Sequence, residues 1–199
     1  MGEFELLFVY LSKNISWSKN TWDERSKMVS MTNDMTAAYV LELYKEFESL
    51  GCPVWMDGGW AVDALLGVQT RPHSDLDIAL EDRCTVTLRE HLISKGYRNV
   101  ERNDTTKWNF VLADDGGHEV DFYTFVLDDF GNVVAGVKYP KRSLTGVGHI
   151  NGIVVRTIDP EHLVKFHSGY ELKEKDYRDV KALCGKFGLR LPDEYSRFT

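Results

Sequence analysis

The stretch Asp57-Gly-Gly-Trp-Ala-Val-Asp63, followed by Arg71-Pro-His-Ser-Asp-Leu-Asp-Ile78, constrains this chain more than any other. The apolar run Pro53-Val-Trp-Met56 before it reads as a short strand. The Gly pair turns the chain into a helix, Trp60 to Leu66, which Gly67 ends. Asp75 to Leu80 reads as a second strand. Asp75 and Asp77, two residues apart, share one face of it, while Leu76 and Ile78 point the other way into a core. Two carboxylates held side by side repel each other. A shared divalent cation relieves that repulsion, and hard oxygen ligands suit magnesium. An isolated Asp-x-Asp fits the solvated face of an edge strand better, and two further features shift the balance. Gly58 and Gly59 let backbone approach a phosphate closely, and the helix after them offers free amide groups; a plain strand-to-helix turn is the alternative.

A third acid follows on a later strand. In His118-Glu-Val-Asp-Phe-Tyr-Thr-Phe125, alternation sets Glu119, Asp121, Tyr123 and Phe125 on one face. Neither face is purely polar, so an acid here sits near covered surface. Asp121 joins Asp75 and Asp77 if the strands are neighbours, with Glu119 as the competing candidate.

The rest of the chain places these residues in one patterned domain, 34–187. Asn33 or Asp34 is a candidate cap for a helix carrying Val40, Leu41, Tyr44, Phe47 and Leu50 at helical spacing, stopped by Gly51. A helix across Thr85 to Lys95 is closed by Gly96. The period then drops to two. Lys107 to Ala113 and His118 to Val126 read as strands joined by Asp114-Asp-Gly-Gly117, a hairpin signal. Val133 to Val137 and Ile150 to Thr157 read as further strands. Pro160 opens a helix to about Tyr170, and a last helix covers Glu174 to Phe187. Residues 1–33 form an N-terminal extension of unknown role, and 188–199 a tail. The order of elements predicts an α+β (mixed α/β) fold.

Charge and cysteine content narrow the function. Lys and Arg total 24 against 31 Asp and Glu, a net charge of −7. Phosphates of DNA or RNA are repelled by such a field, although a nucleotide needs only a local basic pocket. Cys52, Cys84 and Cys184 are widely spaced with no Cys-x-x-Cys, which disfavours a disulfide framework or structural zinc and suits a reducing cytoplasm. The apolar run Phe4 to Leu11, interrupted by Glu5, is far short of the roughly 20 residues of a membrane helix. No membrane association is expected, and the aromatic content suits a monomer or a homodimer.

Gly-Gly, then Asp-x-Asp after a short helix, then a third acid on a later strand resembles the DNA polymerase β-like nucleotidyltransferase superfamily. Trp55-Met-Asp-Gly-Gly-Trp-Ala-Val-Asp-Ala-Leu-Leu-Gly67 with Thr70-Arg-Pro-His-Ser-Asp-Leu-Asp77 looks like its antibiotic-modifying branch: the aminoglycoside 2''-adenylyltransferases and the small lincosamide nucleotidyltransferases. Phe166-His-Ser-Gly-Tyr-Glu-Leu172, continuing to Asp176 and Asp179, is similar to the lincosamide enzymes in particular. The resemblance covers about Thr36 to Cys184, with a poor match over Asp128 to Gly148.

The resemblance implies a mixed β-sheet flanked by helices, with a short helical C-terminal part. It implies transfer of a nucleoside monophosphate, AMP from ATP or another nucleotide, to a hydroxyl of a small molecule, with release of pyrophosphate. Asp75 and Asp77 hold magnesium, two ions in all. Asp121 shares a metal and acts as general base. Gly58 and Gly59 cradle the phosphates. Arg71, just before the metal strand, is placed to meet phosphate or acceptor, and His73 to contact the triphosphate; Lys165 and His167 are further candidates on the nucleotide. Asp63 reads as an anchor of the short helix, Trp55 and Trp60 as core, and Phe166 and Tyr170 as a packing pair. A protein acceptor, as in toxin–antitoxin nucleotidyltransferases, and a non-catalytic nucleotide-binding module are the alternatives.

Overall fold

A computed structural model describes residues 34–198. The extension 1–33, including the capping candidate Asn33, lies outside the described residues. The helix α1 (Ala37–Ser49) is capped instead by Thr36, whose side chain accepts from the Tyr39 N–H at 3.2 Å. Its buried face is Val40, Leu41, Leu43, Tyr44 and Phe47.

The chain continues through β1 (Val54–Met56), α2 (Gly58–Leu66), β2 (Asp75–Glu81), α3 (Thr85–Ser94), β3 (Arg98–Val100) and β4 (Asn109–Ala113). Then come β5 (Glu119–Leu127), β6 (Val133–Gly136), β7 (Gly146–Ile150), β8 (Ile153–Thr157), α4 (Pro160–Phe166) and α5 (Glu174–Phe187). The eight strands form one mixed sheet in the order β3-β4-β5-β2-β1-β8-β7, with β6 paired to the far end of β5. β2 and β5 run parallel and side by side at its centre. Leu76, Ile78, Leu80, Val120 and Phe122 are buried beneath the helices, each burial worth on the order of 2 kcal/mol of apolar surface removed from water.

Three features depart from the sequence reading. The segment read as one strand, 150–157, is a hairpin: Asn151 and Gly152 take positive φ (48° and 78°), and β7 pairs antiparallel with β8. Asn-Gly is the residue pair that such a two-residue turn favours. The helix from Pro160 stops at Phe166, four residues before Tyr170. The stretch 188–198 carries a 3-10 turn, Asp193–Phe198, whose Tyr195 is fully buried and donates a hydrogen bond to the backbone oxygen of His167. Among the described residues no helix is long and apolar enough to cross a membrane.

Candidate active site

The parallel register sets Asp75 opposite Glu119 and Asp77 opposite Asp121. Alternation along β2 leaves Asp75 and Asp77 half-buried while Leu76 and Ile78 are sealed below. Asp75, Asp77 and Asp121 line a cavity of about 710 Å³, together with Asp57, Gly58, Gly59, Arg71 and Tyr123. The rest of its lining comes from Val137, Lys138 and Tyr139 and from the C-terminal elements: Phe166, His167, Tyr170, Glu171, Lys173, Lys175 and Asp176.

The helix α2 begins at Gly58, which the sequence reading set in the preceding turn. Asp57 is its N-cap and accepts the Gly58 N–H at 2.8 Å; its other carboxylate oxygen accepts the Tyr139 hydroxyl at 2.7 Å. Gly58 has φ 54°, and a Cβ there would lie 2.0 Å from Asp77 Oδ2. Only glycine lets the helix start pack directly on the carboxylate of β2.

The carboxylates are in electrostatic tension. Burial, followed by the charges of Asp75, Asp121 and Asp57, drives the Asp77 carboxyl well above its ordinary range. Tyr123 eases this by donating its hydroxyl to Asp77 Oδ1 at 3.3 Å. Burial likewise pushes Asp121 up to about 6, against the opposing pull of the Arg102 guanidinium 3.3 Å from its Oδ2. Asp121 is 6% exposed, and its Oδ1 has no hydrogen-bond partner among the described residues.

Among the described residues, no three His, Cys, Asp or Glu side chains are already drawn together as a metal cage. Tyr123 donates to Asp77 and Arg102 to Asp121. The donor set fits a hard divalent cation all the same: paired carboxylates on adjacent strands, a buried oxygen lacking a partner, and ionisation opposed by neighbouring acids.

A family profile described as aminoglycoside-2''-adenylyltransferase matches residues 39–183. The chain belongs to the aminoglycoside-2''-adenylyltransferase family. A curated lincosamide resistance protein from Staphylococcus haemolyticus is 30% identical over 150 residues, 73% of this chain and 90% of that protein. The crystal structure of the lincosamide antibiotic adenylyltransferase LnuA, lincomycin-bound, superposes with a TM-score of 0.66 at 26% identity, covering 75% of this chain and 97% of that one. ANT(2'')-Ia in complex with adenylyl-2''-tobramycin shares the fold, with a TM-score of 0.63 at 22% identity over 76% and 89% of the two chains. This aminoglycoside-2''-adenylyltransferase family member is therefore a nucleotidyltransferase, with the polymerase β-like fold expected from its motifs.

In this family member, five of the residues singled out in the sequence line the cavity with Asp121: Gly58, Gly59, Arg71, Asp75 and Asp77. Glu119, the rival third acid, does not line it and is held by Arg102 at 2.6 Å. Arg71 gives Nε and Nη2 to Asp179 Oδ2 at 3.2 and 2.8 Å, so α5 already partners its guanidinium. His73 is corrected to a supporting position. It is 3% exposed, its Nε2 hydrogen-bonds Asp63, and its Nδ1 packs behind Gly59. Asp63 also accepts the backbone and hydroxyl of Thr70 at 3.0 and 2.6 Å, the anchoring role read from the sequence. Lys165 is corrected too: it lies outside the cavity lining and pairs with Glu161 one turn back at 2.8 Å. His167 does line the cavity, with Nδ1 on the Leu163 carbonyl.

Sequence reasoning missed Val137, Lys138 and Tyr139, which come from the segment with the poorest resemblance. It also missed Glu171, Lys173 and Lys175. None of them belongs to a local pattern. Each is brought to the cavity by packing between elements far apart in the chain.

Proposed function

We propose that this nucleotidyltransferase moves AMP from ATP to a hydroxyl of a lincosamide-like antibiotic. The observation that carries the reading is the register of β2 against β5, which sets Asp77 beside Asp121 under the Gly58 turn in one cavity. Asp75, Asp77 and Asp121 would hold magnesium, two ions in all, and the metal would supply neutralisation of the charge developing at the α-phosphorus. Asp121 takes the proton from the acceptor hydroxyl through the oxygen that lacks a partner; such a base must lie within hydrogen-bond reach. The α2 amide groups at Gly58 and Gly59 meet the phosphates.

The cavity's charge distribution favours a lincosamide over an aminoglycoside. An aminoglycoside brings several ammonium groups, and each needs an acid. Asp57 is taken by Tyr139, and Asp176 by the backbone N–H of Lys173 at 2.7 Å. With three acids assigned to metal, Glu171 alone remains free among the acids of the lining. Phe166, Tyr170 and Val137 supply apolar wall for an alkyl-bearing acceptor with one positive charge. The likeness to LnuA and to the lincosamide resistance protein supports the same acceptor.

The test is mass spectrometry of lincosamides and aminoglycosides incubated with the protein and MgATP, beside Asp75→Asn. A lincosamide gaining one AMP with the wild type alone is the expected result. Pyrophosphate release with no antibiotic adduct overturns the acceptor assignment.

A further inference from the structure

The residues first in line to meet phosphate are engaged elsewhere: Arg71 on Asp179 and Lys165 on Glu161. Three other cations line the cavity. Lys138 follows β6, and Lys173 and Lys175 stand at the start of α5. No carboxylate pairs with the ammonium of any of the three among the described residues, whereas Lys95 and Lys165 are held by glutamates. All three are exposed, so they stand at the cavity rim.

Their placement runs against local preference. A helix N-terminus carries partial positive charge and favours anions. Lys173 nevertheless occupies the N-cap of this 14-residue helix, where it makes no side-chain cap hydrogen bond, and Lys175 sits in the first turn. N-caps favour side chains that accept hydrogen bonds, which an ammonium cannot do. Lys138 adjoins Tyr139, whose hydroxyl is bonded to Asp57 at the start of α2. Ammonium groups at a cavity rim with no carboxylate within ion-pair distance can take a polyanion by charge-assisted hydrogen bonds. Breaking a local rule beside a cavity marks a functional placement.

We infer that Lys138, Lys173 and Lys175 form a cradle for the β- and γ-phosphates of the nucleotide, the portion that departs as pyrophosphate. This rests on the nucleotidyl-transfer reading above. The lysines line the same cavity as the carboxylates of β2 and β5, so a nucleotide bound there has its α-phosphorus beside the carboxylates and its tail on the lysines.

Calorimetric titration with magnesium pyrophosphate, and separately with AMP, tests this on the full chain. The triple variant K138Q/K173Q/K175Q is expected to bind pyrophosphate at least about 100-fold more weakly, roughly tenfold for each charge-assisted hydrogen bond removed. AMP, lacking both outer phosphates, should shift by less than about twofold. The corresponding triple Lys→Arg variant should retain pyrophosphate binding. Each single Gln variant, with an expected loss of about tenfold, keeps the test decisive if the triple variant folds poorly. Undiminished pyrophosphate binding in the Gln variants, or an equal loss for AMP, overturns the cradle. Lysine-dependent pyrophosphate binding without transfer to any antibiotic upholds the cradle and sinks the acceptor assignment. Transfer with unchanged KM for ATP in the triple variant does the reverse.

Discussion

Asp77 and Asp121 face each other across a parallel strand pair, and Gly58 packs so tightly on Asp77 that a Cβ there would overlap its carboxylate. On the proposed assignment, metal ligand, base and phosphate turn would thus be fixed relative to one another by backbone, which is the arrangement transfer at phosphorus needs.

Replacement of either carboxylate removes function without unfolding the chain. Asp121→Asn is expected to lower kcat by 10²- to 10⁴-fold, roughly the range for a lost general base. Asp77→Asn should abolish magnesium-dependent transfer and stabilise the metal-free protein by about 1 kcal/mol, because it relieves a buried repulsion. Transfer assays and thermal melts on the same preparations check both. Unchanged turnover in Asp121→Asn removes it as the base.

Stability has a definite dependence on pH. Asp121 is raised from 3.8 to about 6, and Asp77 is raised as well. The native protein therefore binds more protons than the unfolded chain in this window, and stability falls as pH rises through it. The Asp121 contribution is up to about 3 kcal/mol, present in full below pH 4 and lost above about pH 6. Magnesium, which binds the ionised carboxylates of the native state, should raise the melting temperature at pH 7.5 and have no effect at pH 4. Melts with and without magnesium at the two pH values give the comparison.

Gly58→Ala strains a left-handed residue and drives a methyl group into Asp77. A loss of roughly 10²-fold in kcat is expected from displacement of the carboxylate by about 1 Å. Gly67→Ala is the control: φ there is 76°, but a Cβ would meet no neighbour within 4 Å. It should lose stability by roughly 1 kcal/mol and keep its kcat.

Tyr139→Phe removes the hydroxyl bonded to Asp57 and leaves a buried carboxylate oxygen without its donor. A stability loss of about 1–3 kcal/mol is expected, read by denaturant titration. An unaltered midpoint would show that the bond contributes nothing.

The catalytic half of the site is legible in the sequence because its signals are local. Alternation puts Asp75 and Asp77 on one face, and the same rule on β5 singles out Asp121 and Glu119. The choice between those two needs the strand register and the position of Arg102, a long-range fact. The hairpin at Asn151-Gly152 has a local signal too, masked by the apolar residues that flank it on both sides. Tyr139, Lys138 and Tyr195 are not legible: each is placed by a partner at least 28 residues away or by a cavity that exists only after folding.

The two walls of the cavity come from separate stretches of chain. The sheet-side lining lies between residues 57 and 123, and the aromatic and lysine-bearing lining between 137 and 176. On the proposed function, substitutions at Val137, Phe166 and Tyr170 would retune which acceptor fits while the lysines of the same stretch and the whole of the earlier one are inherited unchanged, a division of labour by which one lineage can follow a succession of acceptors.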